Sequence, residues 1–169
     1  MITDWTEKPL TADATYREGT LWCELWEREI TVDLYDEEVT EEYAEKCAEA
    51  LNSMPERLVD DICRSAKKYC LCFMDEIAED ISEDLTVPID EDTPEREILR
   101  CFYPTALVVE PPQDPSRTGY QLSCECDWEP EHGMEIDILD NVLVYLCEYS
   151  GCSPWDDHSD EPWNYVLDN

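Results

Sequence analysis

Polar and apolar residues alternate most regularly between Gly119 and Asp157. Leu122, Cys124, Cys126 and Trp128 fall on one side of an extended chain and Ser123, Glu125 and Asp127 on the other, because strand side chains alternate with period two. After the turn-like segment Glu129-Pro130-Glu131-His132-Gly133 the alternation resumes, with Met134, Ile136 and Ile138 inward and Glu135 and Asp137 outward. Asp140-Asn141 supplies a second tight turn, since both residue types tolerate a left-handed backbone. The run Val142 to Tyr149 is then apolar on both sides, as in a strand covered twice. Three adjacent strands follow from this pattern alone.

Upstream, Leu21, Cys23 and Leu25 alternate with Trp22, Glu24 and Trp26, and Ile30, Val32 and Leu34 with Thr31, Asp33 and Tyr35, which predicts a hairpin. On this pattern Trp22 and Trp26 share the face opposite Leu21, where both are expected to pack in a core. Thr40 is placed to cap a helix opening at Glu41, with the stripe Ala44, Cys47, Ala48 and Leu51. Ser53-Met54-Pro55-Glu56 has the spacing of a capping box and predicts a second helix, with the stripe Leu58, Ile62, Ala66, Tyr69 and Phe73. Arg64, Lys67 and Lys68, the one basic cluster, are expected to form an exposed strip. From Asp75 to Glu97 eleven acids meet one arginine, interrupted by Ile77, Ile81, Leu85, Val87 and Ile89, so an amphipathic helical end and a short extended piece are expected. Thr93-Pro94 opens a short helix through Cys101, and Ala106 to Val109 reads as a buried strand.

These elements predict an α+β fold, with a mainly antiparallel sheet of five or six strands and a helix pair, Glu41 to Phe73, packed on one face. Residues 1–20 lack a period and are expected to form an N-terminal arm, with residues 21–169 as a single α+β domain.

Composition narrows the function classes. The net charge is −33 over 169 residues, with 44 acids against 11 lysines and arginines, yet six tryptophans and nine tyrosines separate the chain from acidic disordered proteins. A folded surface of roughly 8,600 Å² carries about one net charge per 260 Å². A DNA duplex carries about one per 110 Å², so only local clusters of this chain approach nucleic-acid density. Such a field repels nucleic acids and anionic membranes and attracts basic proteins. Direct nucleic-acid binding and membrane association are therefore not expected, and a cytoplasmic setting is, since no apolar leader or spanning segment is present. In that setting the ten cysteines are expected to be reduced thiols filling apolar positions.

The runs ECDWEPEHGMEI (Glu125 to Ile136) and PWDD (Pro154 to Asp157), with VTEEYAEKCAEALNSMP (Val39 to Pro55) and RSAKKYC (Arg64 to Cys70), resemble a widespread bacterial family of small acidic proteins of uncharacterised function. The similarity spans roughly Trp22 to Asp157. The resemblance implies an immunity-type setting, protection of a cell from toxins, for some relatives, and brings no catalytic residues with it.

Three chemistries were weighed. Cys70 with Cys72, Cys124 with Cys126, His132, and Cys147 with Cys152 offer soft ligands, but a single residue between two thiols does not suit a tetrahedral zinc centre. Asp156, Asp157, Asp160 and Glu161 lack the glycine and spacing of a calcium loop. No metal or other cofactor is expected. His132 and His158 are the only imidazoles, and the chain lacks a glycine-rich phosphate loop and the GxSxG and HExxH motifs, so no catalytic residues are assigned. Binding is the favoured class: Glu125, Asp127, Glu129 and Glu131 with His132, and Asp156 and Asp157, form an acidic rim around the aromatic anchors Trp128 and Trp155. The expected partner is a basic protein such as a toxin nuclease, occluded by an immunity or inhibitor-type protein. The alternatives are a phage-type nucleic-acid mimic, with contacts on Asp75 to Glu97, and a housekeeping acidic domain.

Overall fold

The computed structural model describes residues 1–11, 14–77 and 83–166. Ten elements run in the order β1 (Thr3–Pro9), β2 (Thr15–Cys23), β3 (Arg28–Leu34), α1 (Glu41–Asn52), α2 (Glu56–Glu76), a 3-10 helix (Glu95–Arg100), β4 (Phe102–Val108), β5 (Gly119–Cys126), β6 (Met134–Leu139) and β7 (Val142–Glu148). All strands join one seven-stranded sheet in sequence order. The expected mainly antiparallel sheet of five or six strands with a helix pair is thus corrected: among the described residues there are seven strands, β3 pairs with β4 in parallel, and three helices lie between those two strands. The parallel pair is possible because the helices between β3 and β4 give the long crossover that two parallel neighbours need.

Residues 1–20, expected as an arm, supply β1 and most of β2, and Ile2 is buried in the core. Period-two reading misses β1 because its outer position leaves all seven of its side chains at least partly exposed, so no apolar alternation is required. The β2–β3 hairpin forms, but strand β2 stops at Cys23, and the turn carries Trp26 inward against Phe102 (5.7 Å between rings) while Trp22 stays half exposed. Strand β4 opens at Phe102, with Pro104 beside a register shift where the ladder tolerates a missing N–H.

Thr40 caps α1 by accepting a hydrogen bond from Tyr43 N at 3.2 Å. The Ser53 capping box does not form: Pro55 is the cap of α2, and Ser53 Oγ donates back to Glu49 O at 2.6 Å. The two helices do not pack as a pair either. Helix α1 leans on β2 and reaches β5, where the Tyr43 hydroxyl accepts from Gly119 N, and α2 packs on β7 and the 3-10 helix. Lys67, expected in an exposed strip, is buried, its ammonium donating to Glu91 O at 2.8 Å and Thr93 O at 2.5 Å, which ties the acidic loop to α2. Leu85 and Ile89 anchor that loop in the core, whereas Ile81 lies outside the described residues.

The sheet register sorts side chains into two faces. Val32, Leu107, Leu122, Ile136 and Leu146 are cross-strand neighbours on the helix side and all fully buried. Trp128 closes the end of this core, edge-on to Tyr69 (5.7 Å) and Phe102 (6.2 Å). On the opposite side a polar row crosses the sheet in register: Glu18, Asp33, Val108, Gln121, Asp137 and Tyr145.

A groove on the open face of the sheet

The chain treats the two ends of that polar row differently. Beyond β7, residues 149–158 fold back as a strap over the Gln121 and Asp137 end. The strap is held by the Glu135 carboxylate, which accepts from Ser150 N (3.1 Å), Gly151 N (2.7 Å) and Cys152 N (3.0 Å), while Gln121 Nε2 donates to Cys152 O at 2.7 Å. Trp155 then lies flat over Gly119, where a Cβ atom would come within 2.7 Å of the ring, so only glycine lets the ring settle there. Glu135 and Asp137, outward by alternation, are consequently sealed from solvent.

Asp137 is the unusual group beneath the strap. Among the described residues neither of its carboxylate oxygens has a well-formed hydrogen bond, the Gln121 side chain offering only a weak interaction, and His158 Nε2 stands 3.8 Å from Oδ2. That imidazole nitrogen already lies 2.9 Å from Ser153 O, so it must carry its proton there, a carbonyl being only an acceptor. Burial, reinforced by the Glu135 charge two residues away, pushes the Asp137 carboxyl up to about 9. Glu135 is raised as well, by burial against the pull of its three backbone donors.

The other end of the row stays open and forms a groove of about 340 Å³. Its floor is Thr105, Val108 and Ser123, its walls are Asp33 and Tyr35 on one side and the Glu129 to Gly133 turn on the other, and Tyr149 stands at the rim. The turn is built around Glu129, whose buried carboxylate accepts from His132 N (2.7 Å) and Gly133 N (3.0 Å) and meets His132 Nδ1 at 3.1 Å. Gly133 sits at φ +73°, where a Cβ would strike Cys124 O at 2.4 Å. The hydrogen bond that His132 Nδ1 donates to the Glu129 carboxylate raises the imidazole above its ordinary 6.5.

Of the residues expected to bind a partner, Glu125, Glu129, Glu131 and His132 converge on this groove. The structure places the others elsewhere. Trp128 is 1% exposed, in the core behind the turn, and Asp127 accepts from Thr86 N at 2.7 Å, holding the acidic loop. Trp155 is partly buried over Gly119. Asp156 and Asp157 are exposed on the strap, where they accept from Ser153 N and Ser159 N. Sequence reading missed Asp33, Tyr35 and Tyr149. Asp33 carried a signal, a carboxylate at an inner position of a predicted strand, but nothing local joins it to a turn about a hundred residues later.

Among the described residues one group of possible metal ligands lies close together, Glu129, Glu131 and His132 within 4.8 Å. Glu129 is already committed to two backbone N–H groups, so the arrangement reads as a turn lock with a spare carboxylate beside it. The cysteines do not offer a second centre: eight of ten are buried, and burial pushes the Cys70 and Cys126 thiols to about 12, which disfavours the thiolate a metal needs. No described helix is long and apolar enough to cross a membrane.

The site therefore defines an α+β protein with an acidic, tyrosine-edged groove on an open sheet face. The chain belongs to a family described as a domain of unknown function (DUF6985), whose model matches residues 5–153. That span includes every strand of the sheet except the first two residues of β1, and it ends within the strap. No curated protein and no solved structure matches the chain.

Proposed function

We propose that the protein is a binding protein of the immunity or inhibitor type that captures a basic protein, such as a toxin nuclease, through the open-face groove. The observation that carries this reading is the composition of the groove wall: Asp33, Glu125, Glu129 and Glu131 line it with His132, and no lysine or arginine does. An acidic concavity inside a chain of net charge −33 draws cationic surfaces from a distance and gives them a place to seat. Tyr35 and Tyr149, each about half exposed, add the aromatic contacts that hold a complex once formed. The resemblance of the Glu125 to Ile136 and Pro154 to Asp157 runs to small acidic bacterial proteins, some of immunity type, agrees with this role.

The test is capture of basic nucleases and of the product of the neighbouring gene by immobilised protein. Replacing Glu125 and Glu131 with lysine is expected to slow association at least tenfold and flatten its salt dependence, because both side chains are exposed and charge steering acts on the encounter. Charge reversal at Glu91 and Asp92 in the acidic loop is the control. Loss of capture from the loop variant alone overturns the groove reading.

A further inference from the structure

The wall of the groove contains a buried acid that its own fold pairs with hydroxyls and no cation. Asp33 is only 8% exposed, and its Oδ1 has no hydrogen-bond partner. The other oxygen accepts from the Tyr35 hydroxyl at 3.4 Å, and the Thr31 side chain also interacts with the carboxyl. Buried acceptors are ordinarily paired, and a poorly paired carboxylate in a concave wall is one that gains from a strong donor brought by a partner. The carboxyl is raised by burial and by the neighbouring Glu18 charge, which is the behaviour of an acid lacking a cation. Lys8, whose charge acts on Asp33, is already paired with Glu18.

The surroundings specify which donor. Tyr35 and Tyr149 line the same groove with half-exposed rings, and a planar guanidinium both stacks on such rings and presents a fork of N–H groups to a carboxylate. The protein already uses this chemistry: the Arg28 guanidinium lies 3.7 Å from the centre of the Tyr103 ring, whose hydroxyl donates to Glu125 Oε2 at 3.1 Å. We infer that Asp33 is the receptor for an arginine side chain of the basic partner, which enters the groove between Tyr35 and Tyr149 and pairs with the Asp33 carboxylate, while Glu125 and Glu131 answer the rest of its charge. This rests on the groove reading above and adds to it the residue that fixes specificity.

The probe is a fluorescein-labelled nonapeptide of alternating arginine and glycine, with lysine and citrulline counterparts, titrated into the full chain at 150 mM salt. Non-specific attraction to a −33 chain changes little when one charge is removed, so a local effect is distinguishable. Asp33→Asn keeps the shape of the side chain, and its melting temperature is measured alongside. The expected result is arginine peptide bound at least threefold more tightly than lysine peptide, no binding of the citrulline peptide, and at least a tenfold loss of arginine-peptide affinity in Asp33→Asn. Tyr35→Ala is expected to erase the preference for arginine over lysine. Equal affinity of wild type and Asp33→Asn overturns the arginine receptor, and if Glu125→Lys/Glu131→Lys still abolishes binding, the groove reading survives without it. Failure of the wild-type chain to bind any cationic peptide overturns both.

Discussion

Replacing Asp137 with asparagine tests the burial of the strap most directly. The carboxyl is sealed under residues 149–158, lacks a well-formed hydrogen bond among the described residues and is pushed from its ordinary 3.8 to about 9. The folded chain therefore holds a proton at neutral pH that the unfolded chain releases. Because the folded value is raised, the contribution of this group to stability is complete below about pH 3.8 and is lost as pH rises toward 9. One pH unit inside that window is worth at most about 1.4 kcal/mol. Asparagine has the same shape and no proton to take up. The difference in unfolding free energy between Asp137→Asn and wild type is expected to move in favour of the variant by about 2–4 kcal/mol between pH 5 and pH 8, the lower figure allowing for relaxation of the strap and water entry. Urea unfolding followed by tryptophan fluorescence at pH 5, 6, 7 and 8 measures it, and subtracting the two curves cancels the shared effect of the other acids. Parallel curves, with a difference independent of pH, refute the claim that Asp137 is buried and protonated.

Two further outcomes follow from the same structure. Trp128→Ala is expected to destabilise the fold by about 3–5 kcal/mol through a cavity beside Tyr69 and Phe102; an unfolding midpoint equal to wild type contradicts its place in the core. The His132 imidazole is expected to titrate by NMR above 6.5 and to return toward that value in Glu129→Gln, so the Glu129 to His132 contact supports the turn below about pH 6.5 and weakens as pH rises through the folded midpoint. A His132 midpoint unmoved by Glu129→Gln removes the contact as the cause.

Much of the fold is legible in local pattern because local physics sets it. Thr40 caps α1 since a hydroxyl one residue before a helix meets a free N–H, and Asp140-Asn141 turns the chain because both residues take φ near +51° and +61° at little cost. The buried stripe of α1 and the inward positions of β5 and β6 follow from periods of 3.6 and two. Half of the groove was visible for the same reason: Glu125, Glu129, Glu131 and His132 belong to one strand end and its turn.

Period two says which side of a strand a residue takes, and nothing about what lies over that side. Glu125 and Asp137 both alternate outward from the sheet; the first is exposed and the second sealed, because the strap crosses one end of the face and leaves the other bare. The path of the strap is decided by contacts no window contains, among them Glu135 with the 150–152 backbone and Trp155 on Gly119. The parallel junction of β3 with β4 has the same origin. It sets Asp33 and Tyr35 opposite the Glu129 turn, and with that the tertiary structure alone turned a row of outward acids into a groove.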